Sequence, residues 1–167
     1  MKLFGLQNTK KAISFILILI ANVPHFHFSI SLQMKTKTIR QTVTFPASPK
    51  TIYDLLFDSR KLTKLHGGKT SMTRRPKGKF TVFGGYCHGY NIELKENKSI
   101  EQAWYFQEEG WPDDHFSTCL FVLEKSPKGS KLTFTQKGVP ESTYESLKEG
   151  WHQYYWQPIK EYLELKS

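Results

Sequence analysis

Between Lys69 and Gln136 the chain is cut by turn sequences at short, regular intervals, and this punctuation limits the possible folds more than any other feature. The separators are Pro76-Lys77-Gly78, Gly84-Gly85, Lys95-Glu96-Asn97-Lys98 and Ser126-Pro127-Lys128-Gly129, built from residues that set or tolerate turn dihedrals. The pieces between them alternate apolar with polar residues. They predict strands over 69–74, 79–83, 88–95, 99–107, 115–124 and 130–136, a pattern of period two. Tyr90, Ile92, Leu94, Ile100, Trp104, Phe106, Leu132 and Phe134 are expected on the inner face. Strands joined this closely make an antiparallel meander.

The flanks are different. Ile39, Val43 and Phe45 alternate with Arg40, Thr42 and Thr44, a half-buried strand with Gln41 as the one polar residue on its apolar side. Ser48 then offers an N-cap and Pro49 a first helical position, with Ile52, Leu55 and Leu56 on one face. A second short helix over 59–66 is stopped by Gly67-Gly68. At the other end, Ser142-Thr143-Tyr144-Glu145 has the form of a capping box. Tyr144, Leu147, Trp151, Tyr154, Tyr155 and Tyr162 follow at helical intervals, and Pro158 is expected to bend or break that helix. The sum is an α+β arrangement in which a long aromatic helix crosses one face of a sheet, leaving room for a ligand between them. Gln102, on the strand face of Trp104, hints that this concave surface is not wholly apolar.

A chain of 167 residues is the size of one domain. Its 12 Phe, 8 Tyr and 4 Trp suit a wide core or a lined cavity and argue against disorder. The formal charge of +9 is uneven: residues 1–33 carry +3, residues 34–92 carry +10 and residues 93–167 carry −4. Such a dipolar chain steers toward acidic surfaces, although a solvated basic face explains it as well. Cys87 and Cys119 make no metal or disulfide spacing, which fits a reducing compartment. Residues 1–33 read either as an extension upstream of a start at Met34 or as a signal-like or anchoring leader, because Lys2, Lys10 and Lys11 precede the apolar run Ala12–Ala21. The expected division is therefore 1–33 and a globular domain over 34–167. The domain is cytoplasmic if translation starts at Met34, and exported or membrane-anchored if the leader is used.

Several motifs invite chemistry. Gly68-Lys69-Thr70 resembles the end of a phosphate-binding loop, but position 63 is Thr where that loop needs Gly, and the order of elements is helix then strand. Cys87-His88 is favoured as a structural cysteine over a nucleophile and base: strand neighbours point to opposite faces, and if the pair sits in the Gly84–Gly89 turn instead, no third orienting group is evident nearby. His25 and His27 lack further ligands at metal spacing. In Gly110-Trp111-Pro112-Asp113-Asp114-His115-Phe116-Ser117-Thr118 the adjacent aspartates diverge in most backbones, so a turn feeding a strand is favoured over a metal or acid–base centre. No metal and no cofactor is expected.

The segments GKFTVFGGYCHG, IEQAWYFQEEGWPDDHFSTCLFVLE, KLTFTQKGVPE and EGWHQYYWQPIKEYL together resemble the C-terminal domain of the activator of heat shock protein 90 ATPase, from Ile39 to Leu163. The resemblance implies a helix-grip fold of the START-like (SRPBCC) superfamily, with a curved antiparallel sheet of about six or seven strands around a long C-terminal helix and two short helices after the first strand. It implies a stand-alone member and no catalytic role for the aspartate-rich turn, where Trp111 acts as an anchor. Trp104, Phe116 and Trp151 would line the core or cavity. With Tyr90, Phe106, Thr118 and Tyr155 they form the expected ligand-binding set.

Function transfers less directly than fold. The expected role is non-enzymatic: binding a small apolar ligand, or co-chaperone-like assistance to a chaperone of the heat shock protein 90 type, with the basic stretch from Lys61 to Lys79 as a docking surface. The alternative is a START-like enzyme of cyclase or hydrolase type, which would need groups such as His88, His115 or Tyr90 to converge in a pocket. Nucleic acid is not an expected partner, since only Phe80 is interleaved with the basic residues from Arg74 to Lys79. A membrane enters only if the leader is retained.

Overall fold

The computed structural model describes residues 34–166, so the leader and His25-x-His27 lie outside the described residues. The chain opens with strand β1 (Thr36–Phe45), followed by helices α1 (Pro49–Leu55) and α2 (Ser59–His66). Strands β2 (Lys79–Val82), β3 (Cys87–Lys95), β4 (Ser99–Phe106), β5 (Ser117–Ser126) and β6 (Gly129–Pro140) come next. The last part is a continuous helical rod: α3 (Tyr144–Gly150), a π-helical segment over Trp151–Trp156, and α4 (Gln157–Glu164).

All six strands form one antiparallel sheet in the order β1-β6-β5-β4-β3-β2. The meander runs from β2 to β6, and β1 returns to pair with β6, matching Phe45 with Ser130 and Ile39 with Gln136. Register shifts between Lys37 and Ile39 and between Asn91 and Glu93 interrupt the ladders near opposite edges. Irregularities of this kind bend and twist a strand, which lets the sheet curve around the rod.

The two short helices start and stop as their residues dictate. Ser48 Oγ accepts from Thr51 N at 3.2 Å, with Pro49 at the first helical position. Asp58 caps α2 through Lys61 N at 3.0 Å, and Gly67 ends it at φ 69°. The capping box expected at Ser142 does not form. A 3₁₀ turn over Glu141–Thr143 intervenes, Ser142 Oγ donates instead to the carbonyl of Gly110, and Thr143 Oγ1 to that of Pro140.

The strand expected over 69–74 is not one. Ser71 makes a single bridge to Thr81, and the rest runs as a loop whose backbone groups are taken by side chains. Met72 N donates to Ser59 Oγ, while the carbonyls of Thr73 and Arg75 accept from Asn91 Nδ2.

The inner side of β3 is also shifted by one residue from expectation. Cys87, Gly89 and Asn91 face the core, whereas Tyr90 and Ile92 are exposed; past the register shift at Asn91/Glu93, Leu94 is half-buried and packs against the core as expected. The inner positions of this strand are small or polar, so its apolar alternation follows the outer face.

Candidate functional site

The rod places three aromatic side chains against the sheet. Trp151, Tyr155 and Trp156 are all buried, although residues five apart on an α-helix point about 140° from each other. The π segment removes that conflict, since bonding from i to i+5 brings residue 156 beneath residue 151. Accordingly Gln157 N bonds to the carbonyl of His152, and the rings of Trp151 and Trp156 stack with centroids 5.5 Å apart at 18°. The widened turn sits immediately before Pro158, whose ring would crowd the carbonyl four residues back in a regular helix. Pro158 thus neither breaks nor ends the rod.

Each buried indole N–H finds a fixed acceptor, as it must in a dry core. Trp151 Nε1 donates to Gln136 Oε1 at 2.6 Å, and Gln136 Nε2 in turn donates to Ser117 Oγ at 2.8 Å. Trp156 Nε1 donates to Gln41 Oε1 at 2.6 Å, and Gln41 Nε2 reaches the carbonyl of Lys148. Trp104 Nε1 donates to Gln102 Oε1 at 3.0 Å, and Gln102 Nε2 to Asn91 Oδ1. Gln41 and Gln102, both polar residues on apolar strand faces, are the acceptors that orient the indoles. The fourth indole, Trp111, donates to the carbonyl of His115 at 2.8 Å and packs against Phe106, fastening the aspartate-rich turn.

Between the rod and the β2–β4 side of the sheet lies a cavity of about 290 Å³, at the small end of ligand sites. Trp104 and Phe106 of β4 form its floor, Trp151 and Tyr155 its helical wall, and Phe83, Tyr86 and Cys87 one end. Leu147, Gly150 and Tyr154 of the rod complete it, with Ser146 and Glu108 as its polar contributors beside the tyrosines.

Tyr86 Oη donates to Glu108 Oε2 at 2.8 Å. Burial, then the neighbouring Glu108 carboxylate, pushes the Tyr86 phenol well above its ordinary value, and burial does the same to Tyr155. Tyr155 is only 2 % exposed and lines the cavity. Burial also raises the Cys87 and Cys119 thiols, which are free and unreactive in that state. Behind Tyr155 and Phe83 stands His66, with ring centroids at 4.5 and 4.9 Å. Neither of its nitrogens has a hydrogen-bond partner among the described residues, and burial lowers its pKa from 6.5 to about 4.

Of the seven residues expected to bind a ligand, Trp104, Phe106, Trp151 and Tyr155 line this cavity. The other three lie elsewhere. Tyr90 and Phe116 pack on each other on the far face of the sheet, 42 % and 38 % exposed, beside His88 and Tyr105. Thr118 is half-buried opposite Ala103 and Lys137. Phe83, Tyr86, Glu108 and Leu147 line the cavity without having been expected. The first two sit in the turn Phe83-Gly84-Gly85-Tyr86, where Phe83 itself has φ 55°, and large rings flanking a Gly-Gly turn were the available signal.

Neither His88, His115 nor Tyr90 lines the cavity. His115 Nε2 is instead held 2.6 Å from the carbonyl of Gly138. No cluster of three or more metal-ligating side chains occurs among the described residues, and no helix there is long and apolar enough to cross a membrane.

The chain is similar in sequence and in fold to known proteins. The sequence model described as "Activator of Hsp90 ATPase homolog 1-like protein" matches residues 46–164. The chain belongs to that family. Among its relatives, mouse activator of 90 kDa heat shock protein ATPase homolog 2 is 25 % identical over 83 % of this chain and 41 % of its own length. The human homolog 1 is 24 % identical over 79 % of this chain and 38 % of its own. The chain therefore spans about two-fifths of the length of these curated relatives. A crystal structure of a heat shock protein 90 activator from Plasmodium falciparum superposes with a TM-score of 0.67 and 24 % identity, covering 78 % of this chain and 96 % of that one. That likeness supports the helix-grip architecture of the family.

Proposed function

We propose that this member of the Hsp90-ATPase-activator-like family is a non-enzymatic helix-grip protein that holds a small apolar ligand in the cavity beneath its C-terminal rod. The observation that carries the reading is the aromatic lining of that cavity by Trp104, Phe106, Trp151 and Tyr155, open to solvent at the Tyr86 end. Catalysis by the expected polar groups finds no support, because His88, His115 and Tyr90 do not converge there. Native mass spectrometry of gently purified full-chain protein is expected to retain a small molecule that denaturation releases. Protein of sequence mass alone that also takes up no apolar dye would end the reading.

A second, co-chaperone-like role is favoured by family membership and by one surface feature. Arg60, Lys61, Lys64, Lys69, Arg74, Arg75, Lys77 and Lys79 follow one another with no acidic residue between Asp58 and Glu93. Arg74 is tied to Asp54 and Glu96, and Lys61 to Asp58, while Arg60, Lys64 and Lys69 border an open depression at α2. Such a field suits an acidic chaperone surface. Added to a chaperone of the Hsp90 type, the full chain should raise ATPase turnover in a salt-sensitive manner, and K64E/K69E should weaken the effect. Turnover unchanged at low salt would rule this role out.

A further inference from the structure

The cavity has a charge preference that its aromatic lining conceals. No Lys, Arg or His lines it in a chain of formal charge +9, and its single ionisable carboxylate is Glu108. Glu108 is held at the mouth by the Tyr86 hydroxyl at 2.8 Å, which satisfies one oxygen and leaves acceptor capacity on the other. The rings of Trp104, Trp151 and Tyr155 line the cavity, and a cation that reaches an aromatic face is attracted by it. Tyr155, which also lines the cavity, carries a hydroxyl that can both donate and accept.

An anionic ligand such as a fatty acid would enter with its carboxylate facing Glu108 and ring faces, with no cation to meet it. An ammonium group would meet a carboxylate and aromatic faces together. Resting on the ligand-binding reading above, we propose that the cavity takes small apolar amines, with the hydrocarbon body against the rings of Trp104, Phe106 and Trp151 that line it and the ammonium group at Glu108.

Three probes of one shape separate the possibilities: 1-naphthylmethylamine, 1-naphthalenemethanol and 1-naphthylacetate. Each is titrated calorimetrically into the full-chain protein and into E108Q at neutral pH. The amine is expected to bind about tenfold tighter than the alcohol, and the acetate weakest, as a charge-assisted contact together with cation–π attraction would give. This order runs against the protein's net positive field, so it reports the cavity. In E108Q the amine should fall to the level of the alcohol measured on the same variant, with an unchanged thermal midpoint showing an intact fold. Equal binding of all three, tighter binding of the acetate, or an amine preference that survives E108Q overturns the charge assignment and leaves an apolar-ligand cavity standing. Binding by none of the three overturns both readings.

Discussion

Trp151 on the rod and Gln136 on strand β6 are joined by an indole N–H to carboxamide oxygen bond of 2.6 Å, buried on both sides. The same carboxamide donates to Ser117 Oγ, so one side chain couples β5, β6 and the rod. Removing it strands the Trp151 indole N–H in the core and leaves Ser117 Oγ with only its bond to the carbonyl of Trp104. Gln136→Leu should therefore cost about 1–3 kcal/mol for each group left unsatisfied. Adding Trp151→Phe removes the orphaned donor, so the double variant should lose less than the two single losses combined. Urea unfolding of the four proteins measures that coupling, and strict additivity would mean the bond does not orient the rod.

The π segment makes a separate prediction. It brings Trp156 onto the sheet beside Trp151, where it contacts Phe121 and Phe134 and donates to Gln41. Trp156→Ala should cost about 3–5 kcal/mol, as for other buried aromatics. Tyr154→Ala, two residues away and 58 % exposed, should change stability by no more than about 0.5 kcal/mol. Comparable losses from the two would mean that the rod is a regular α-helix with a different face inward.

Much of this architecture could be read from the sequence, and the failures have physical causes. Turn residues located the meander, and apolar alternation oriented β1, β4 and β6 correctly through Ile39, Trp104 and Phe134. Alternation misled at β3, where the inner face carries Gly89 and Asn91 and the outer one Tyr90 and Ile92. Asn91 is inward because its amide supports the 73–75 loop and its oxygen supports Gln102. That pairing joins residues more than ten positions apart and leaves no local signature. Trp156 was missed for a similar reason, because a period of 3.6 excludes it from the face of Trp151 and only a π turn brings it back. The cavity's end at Phe83 and Tyr86 was hidden in a turn, where rings are ordinarily counted as surface.

Gly89 shows how closely β3 and the core fit. A Cβ at this position would run into the Ala103 carbonyl oxygen of β4 and come within 2.7 Å of Phe80 Cζ. The first obstacle is backbone and cannot rotate away. Gly89→Ala should thus destabilise by about 3 kcal/mol or more, at the upper end of overpacking costs. Gly67→Ala provides a contrast, since its Cβ would meet nothing within 4 Å and only the positive φ of 69° resists it. Its cost should be about 1 kcal/mol. Chemical denaturation midpoints would rank the two, and equal values would contradict the tight β3–β4 contact.

His66 makes stability depend on pH in a window set by its own burial. Packed between Phe83 and Tyr155 with neither nitrogen paired among the described residues, it titrates near 4 in the folded chain against an ordinary 6.5. As pH falls from about 6.5 to about 4, the unfolded chain takes up a proton that the folded chain refuses, so stability is full above the window and drops across it. Below about 4 both states are protonated and the loss is complete, on the order of 3 kcal/mol for this shift. His66→Phe keeps a ring against both neighbours and removes the proton site. Subtracting its pH profile from that of the unaltered protein cancels the carboxylates Asp54, Asp58 and Glu141, whose pKa values are lowered by their cationic and amide neighbours. The difference should be flat above about pH 7 and slope through the window. A difference that stays flat down to pH 4 would show that the imidazole is solvated or paired in solution.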